Sequence, residues 1–137
     1  MQITVEKLFV KQLSLIGSPN EPNSETSRIY DLKFDKIFPD ENLRSFSILF
    51  KLEVSNSSEF DLKIQYECLF STEEDITTEF KESHFPNINA PAIGFPFLRA
   101  YISYLLINSG FEPVLLPTIN FTSFVTKEKT DVDNDII

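Results

Sequence analysis

The stretch LRSFSILFKLEVSNSSEFDLKIQYECLF, Leu43 to Phe70, decides the fold. In its first half Phe46, Ile48, Phe50, Leu52 and Val54 occupy alternate positions. In its second half Phe60, Leu62, Ile64, Tyr66, Cys68 and Phe70 do the same. A period of two marks strands with one face against apolar surroundings. The positions between carry Ser45, Ser47, Lys51 and Glu53, then Asp61, Lys63, Gln65 and Glu67, so the other face is predicted to be wet. That alternation belongs to antiparallel sheets, and the short polar link Asn56-Ser57-Ser58 makes the pair a hairpin.

Working back from the hairpin, SRIYDLKFDKI puts Tyr30, Leu32 and Phe34 on one side of a further strand. The first segment, ITVEKLFVKQLSLI, is apolar at Ile3 and Val5, then at Leu8 and Val10, then at Leu13 and Leu15. Its phase shifts twice, and each shift is what a β-bulge produces. Between these two lies GSPNEPNSETS, polar and aperiodic with two prolines, which reads as a long loop crossing the sheet. Four strands are therefore expected within residues 2–71.

Working forward, the chemistry changes. From Ser83 to Thr126 only Arg99 and Glu112 are charged, although this stretch holds five prolines. A connection is expected over 72–94. Pro96 then opens a long helix over 95–109, closed by Gly110 and Pro113. Phe97, Tyr101, Tyr104, Leu105 and Asn108 fall on one side of it, with Leu98, Ile102 and Leu106 close by. A helix so apolar around its circumference needs cover on more than one face, and in so small a chain a second subunit supplies it most simply. A linker over 110–119, a short helix over 120–129 with Asn120 as N-cap, and an acidic tail over 130–137 complete the single-domain reading. The fold class is α+β.

With 137 residues, 21 Asp and Glu against 12 Lys and Arg, and a net charge of −9, the chain repels phosphate backbones, so binding to nucleic acid or to an anionic membrane is not expected. The longest apolar stretch, Ala100 to Ile107, falls short of the roughly 20 residues of a membrane span. The N-terminus shows no secretory pattern, and the lone Cys68 suits a reducing compartment, so a cytoplasmic location is expected. Catalytic patterns are missing. The single His84 has no partner pattern, and the three glycines form no phosphate-binding loop. Asp131, Asp133 and Asp135 resemble the start of a calcium loop, but Ile136 stands where glycine is required. No enzyme activity, metal or cofactor is expected.

One segment carries a resemblance. Phe95-Pro96-Phe97, Arg99, Gly110-Phe111, Pro113, Pro117 and Asn120-Phe121 together resemble the helix-opening motif, turn and last-helix start of the SecB family of protein-export chaperones. The resemblance implies a four-stranded antiparallel sheet with two helices on one face, assembled as a dimer of dimers with Phe97, Tyr101, Tyr104, Leu105 and Asn108 between copies. It also implies an ATP-independent holdase that keeps unfolded or precursor polypeptides competent for export or folding and passes them to the SecA motor. Carried onto this sequence, the client groove falls on Tyr30, Leu32, Phe34, Leu115, Leu116, Phe121, Phe124 and Val125. Six phenylalanines, Phe85, Phe95, Phe97, Phe111, Phe121 and Phe124, are thereby assigned to assembly and client binding.

The resemblance departs at one place. Acids expected for motor docking are replaced by Gln12, Ile16 and Lys63. A SecB-like chaperone dedicated to the antitoxin of a toxin-antitoxin-chaperone module is therefore the second reading. A structural or adaptor protein without client binding is the third.

Overall fold

The computed structural model describes residues 1–17, 28–56 and 59–123. Strands β1 (Ile3–Gly17), β2 (Arg28–Ile37), β3 (Ser45–Asn56) and β4 (Phe60–Thr72) form one antiparallel sheet in the order β1-β4-β3-β2. β1 and β2 are consecutive in the chain yet lie on opposite edges; the long loop expected between them lies outside the described residues. The two phase shifts in β1 are real breaks of register against β4. They fall between Val5 and Lys7 and between Val10 and Gln12, which leaves Glu6 and Lys11 as the extra residues. Both reach partners on β4: Glu6 accepts a hydrogen bond from Ser71 Oγ at 2.6 Å, and Lys11 lies 3.7 Å from Glu67.

One face of the sheet is covered. Phe46, Ile48, Phe50, Leu52 and Val54 of β3, and Phe60, Leu62, Ile64, Cys68 and Phe70 of β4, are all almost wholly excluded from solvent. The opposite face is mostly polar, with one departure: Ser47 and Leu49 are also buried, at the middle of the sheet where neighbouring strands flank β3 on both sides.

The helical part begins earlier than proline placement predicts. A short α1 (Thr78–Glu82), capped by Thr77 Oγ1 accepting from the Phe80 amide, occupies what reads as a bare connection. A π-helical turn (Phe85–Asn89) then runs directly into α2 (Ala90–Asn108), correcting the expected 95–109. Pro86 sits at the start of the run, where a missing N–H costs little, whereas Pro91, at the junction of the two segments, and Pro96, inside α2, each forfeit a bond. Burial of Ala90, Pro91, Gly94, Phe95, Leu98, Ile102 and Leu106 against the sheet offsets that loss. By length and composition the continuous run Phe85–Asn108 equals a membrane span, which corrects the shorter estimate from sequence. Its packed face makes it a core helix of this sheet. Asn87 fixes the entry to the run, donating to the carbonyls of Lys81 and Ser83 and accepting from Lys36 Nζ on β2.

The exit follows the sequence signal. Gly110 adopts φ +88°, the left-handed conformation that glycine reaches without cost. The Phe111 amide donates to the Leu106 carbonyl at 2.9 Å and that of Gly110 to Ile107 at 3.3 Å, the paired bonds of a Schellman end. Beyond the linker, Asn120 Oδ1 accepts from the Thr122 amide at 3.0 Å and caps a helical turn at residues 121–123. The remainder of the expected short helix, with Phe124, Val125 and the tail, lies outside the described residues.

Most of the 14 Phe rings pack on one another beneath the helices. Phe46 lies 5.0 Å from Phe70, 5.6 Å from Phe80, 5.8 Å from Phe38 and 6.3 Å from Phe85. A second cluster joins Phe34, Phe50, Phe95 and Phe121, and a third joins Phe60 and Phe111. Phe85, Phe95, Phe111 and Phe121 therefore serve this chain's own core, correcting their assignment to interfaces; among the described residues of that set Phe97 is the exposed one.

Gly94 sets how closely α2 approaches the sheet, because a Cβ there would stand 2.7 Å from Cys68 Sγ. The thiol beneath it is fully buried, and burial, helped by the Glu67 carboxylate, pushes its pKa up to about 12. Only the thiolate reacts with disulfide reagents. We expect Ellman's reagent to leave the native protein untouched and to titrate one thiol per chain in denaturant. Prompt reaction of the native protein would contradict this packing.

Candidate functional site

Among the described residues no group of His, Cys, Asp and Glu is arranged to hold a metal. What the described residues offer instead is uncovered apolar surface, two stretches of which coincide with the expected sites. The first lies along β2, whose inward row is less covered than those of β3 and β4. Tyr30 is 37% exposed, and Leu32 and Phe34 are half-buried. Phe34 meets the Phe121 ring edge-on at 5.8 Å, so the row ends against the last helical turn. The linker after α2 adds Leu115, which is 77% exposed while its neighbours Val114 and Leu116 are buried. Arg99 Nη1 donates to Thr118 Oγ1 at 3.3 Å and ties this linker to α2. Two of the expected groove residues are thus corrected. Leu116 and Phe121 are core side chains, turned inward by the alternation of the linker and by the Phe34, Phe50 and Phe95 rings.

The second surface is a stripe on α2. Ile93, Phe97, Tyr104 and Ile107 are 40%, 48%, 68% and 58% exposed, with Tyr101 and Leu105 half-buried beside them. Their spacing of three, four and seven puts them on one side of the helix, opposite the buried residues at every fourth position. Tyr101 stacks on Tyr66 of β4 at 5.9 Å. Burial, then the neighbouring Cys68 and Tyr101, raises the Tyr66 pKa, so its hydroxyl stays neutral. Asn108, expected in this stripe, turns its amide back to the Tyr104 carbonyl at 2.8 Å. Ile93 and Ile107 escape the sequence reading. The first lies before the expected helix start, and the second was legible from its place three residues beyond Tyr104.

The other face of the sheet carries a shallow groove lined by Gln12, Ser14, Asp31, Lys33, Lys51, Glu53, Lys63 and Gln65. Lys51 pairs with Asp35 at 2.9 Å. Gln12 stands opposite Gln65, Lys63 stands between Ser14 and Glu53, and Ile16 is 64% exposed opposite Asp61. This part of the face mixes Lys33, Lys51 and Lys63 with Asp31 and Glu53.

With this geometry in hand, the comparison with known families is decisive. The family model described as preprotein translocase subunit SecB matches residues 1–131. The chain belongs to the SecB family. Its curated SecB relatives are protein-export proteins. That of Nitrosospira multiformis is 28% identical over 96% of this chain and 85% of its own length. That of Aromatoleum aromaticum is 29% identical over 88% of this chain and 79% of its own. Among solved structures, the SecB-like chaperone of Mycobacterium tuberculosis, in complex with a ChAD peptide from the HigA1 antitoxin, superposes with a TM-score of 0.66. It covers 85% of this chain and 87% of its own at 11% identity, a likeness of fold.

Proposed function

We propose that this SecB-family chain is an ATP-independent holdase that binds unfolded or precursor polypeptides along the β2 row and the linker. The observation that carries this reading is the partly uncovered row of Tyr30 and Leu32, closed by Phe34, with Leu115 largely exposed beside it in the linker. Such surface on a monomer marks a place where other chains bind, and weak apolar contacts accumulate along an extended client. The net charge of −9 keeps the surface soluble and attracts basic unfolded segments. Phe124 and Val125 belong to the same site in this reading. The α2 stripe of Phe97, Tyr101, Tyr104 and Leu105 is the contact between copies, in a dimer of dimers located in the cytoplasm.

The expected result is that the purified protein suppresses aggregation of a chemically denatured model substrate at one tetramer per client, without nucleotide. Light scattering unchanged at stoichiometric amounts would sink the reading. Tyr30→Asp and Leu115→Asp together are expected to weaken client binding by about 100-fold or more, since each removes roughly 1.5 kcal/mol or more of apolar contact.

A second reading concerns the client. Gln12 and Lys63 stand where docking acids are expected, in a groove that mixes Lys33 and Lys51 with Asp31 and Glu53, which favours a dedicated client such as an antitoxin over transfer to SecA. The structural likeness to a chaperone solved with an antitoxin peptide supports the same view. Purified SecA binding this chain would favour export, and a neighbouring toxin-antitoxin gene pair would favour the dedicated role.

A further inference from the structure

Between Ser83 and Thr126 only Arg99 and Glu112 carry charge. Arg99 is half-buried on α2, and among the described residues no carboxylate pairs with it. A cation held partly out of water without an opposite charge costs free energy. What Arg99 does contact is the linker, through Nη1 donating to Thr118 Oγ1 at 3.3 Å. It stands one helical turn beyond Phe95, whose ring meets Phe121 edge-on at 5.8 Å, and Phe121 in turn meets Phe34 of β2. Residues four apart share a side of a helix, so Arg99 lies on the flank of α2 that looks towards the β2 row.

The linker has few other polar ties. Among the described residues no backbone–backbone hydrogen bond fixes residues 112–119. Pro113 and Pro117 lock their own φ and keep the residues before them extended, which stiffens the segment without anchoring it. Alternation along an extended chain turns Val114 and Leu116 inward and leaves Leu115, between them, 77% exposed. The two buried side chains decide which side of the segment faces in. Its far end is set by Thr118, two residues before the Asn120 cap, and there Arg99 supplies the tie.

We infer that Arg99 is a positioning residue for client binding: by holding Thr118 it keeps the linker docked on α2 with Leu115 presented to the client. Arg99 acts through the linker and makes no client contact of its own. This rests on the holdase reading and adds to it the side chain that keeps the linker in its binding position. The partner hydroxyl is as necessary as the guanidinium, and both lose their value once Leu115 is gone.

The test uses the full-length protein and a short fluorescein-labelled apolar peptide, followed by anisotropy. Arg99→Gln and Thr118→Val are each expected to weaken binding by about fivefold, and the double variant by no more than either alone, because the two groups form one bond. Thr118→Ser, which keeps the hydroxyl, is expected to bind within about twofold of the parent. Leu115→Ala removes an exposed side chain and weakens binding by itself; adding Arg99→Gln to it should cost nothing more. A general loss of packing would instead show the same Arg99→Gln effect with and without Leu115, and that result overturns the inference. Parent-like binding by Thr118→Val, whose exposed site tolerates the change, also overturns it. If the parent protein neither binds the peptide nor suppresses aggregation, the holdase reading itself falls, an outcome distinct from a binding parent with unaffected variants.

Discussion

Replacing Phe46 by Ala is expected to lower stability by about 3–5 kcal/mol, the cost of emptying a large aromatic site in a rigid core. Phe46 has no solvent exposure and lies between the rings of Phe70 and Phe38, with Phe80 and Phe85 edge-on to it. Phe80 belongs to α1 and Phe85 to the π-helical turn, so this one strand residue anchors the whole entry to α2. Small domains are stable by only about 5–15 kcal/mol, so the loss leaves little margin. The midpoint of thermal unfolding should fall by roughly 10–20 °C, measured at one fixed protein concentration because the proposed assembly would contribute to apparent stability. Phe9→Ala is the comparison. Phe9 is half-buried with Lys7 Nζ 5.1 Å over its ring, and its loss should cost about 1 kcal/mol. Equal effects from the two would mean that Phe46 is not the centre of the aromatic cluster.

What could be read from the sequence follows from how local each signal is. The β3–β4 hairpin is carried by alternation within each strand, and even the β1 bulges leave a local trace, because an extra residue moves the apolar positions from Val5 to Leu8 and from Val10 to Leu13. The end of α2 was equally plain, since Gly110 is needed for a left-handed turn whatever surrounds it. The start of α2 was not. Pro96 carries the local signature of a first turn, yet its cost is outweighed by Ala90, Gly94 and Phe95 fitting against Cys68 and Phe50, a contact between distant parts of the chain. The same limit explains the aromatic residues. Composition shows an excess of Phe but does not distinguish Phe95 or Phe121, which close the core, from Phe97 two positions along the same helix, which faces out. For the groove, the β2 row was legible and its boundary was not, because Leu116 and Phe121 are turned inward by partners on β2, β3 and α2.

The double substitution Phe97→Glu with Tyr104→Glu is expected to break the proposed assembly while leaving the chain folded. Both rings stand on the solvent side of α2, opposite Leu98, Ile102 and Leu106, so neither change opens a cavity in the core. Each ring would bury on the order of 100 Å² against a neighbouring copy, worth about 2–3 kcal/mol at 25 cal/mol per Å². Two such losses in each copy weaken association by at least about 10³-fold before any penalty for burying carboxylates, which adds to it. Sedimentation should show a species of half the native mass or less, with far-ultraviolet circular dichroism unchanged. Unchanged mass would place the contact elsewhere. The variant also separates the two apolar surfaces by function. Tyr30, Leu32 and Leu115 remain in place in the smaller species, so a short fluorescein-labelled apolar peptide should still bind with nearly its original affinity. Suppression of long aggregating clients should fall, because an extended chain gains from several rows joined in one particle and a single row offers only its own weak contact.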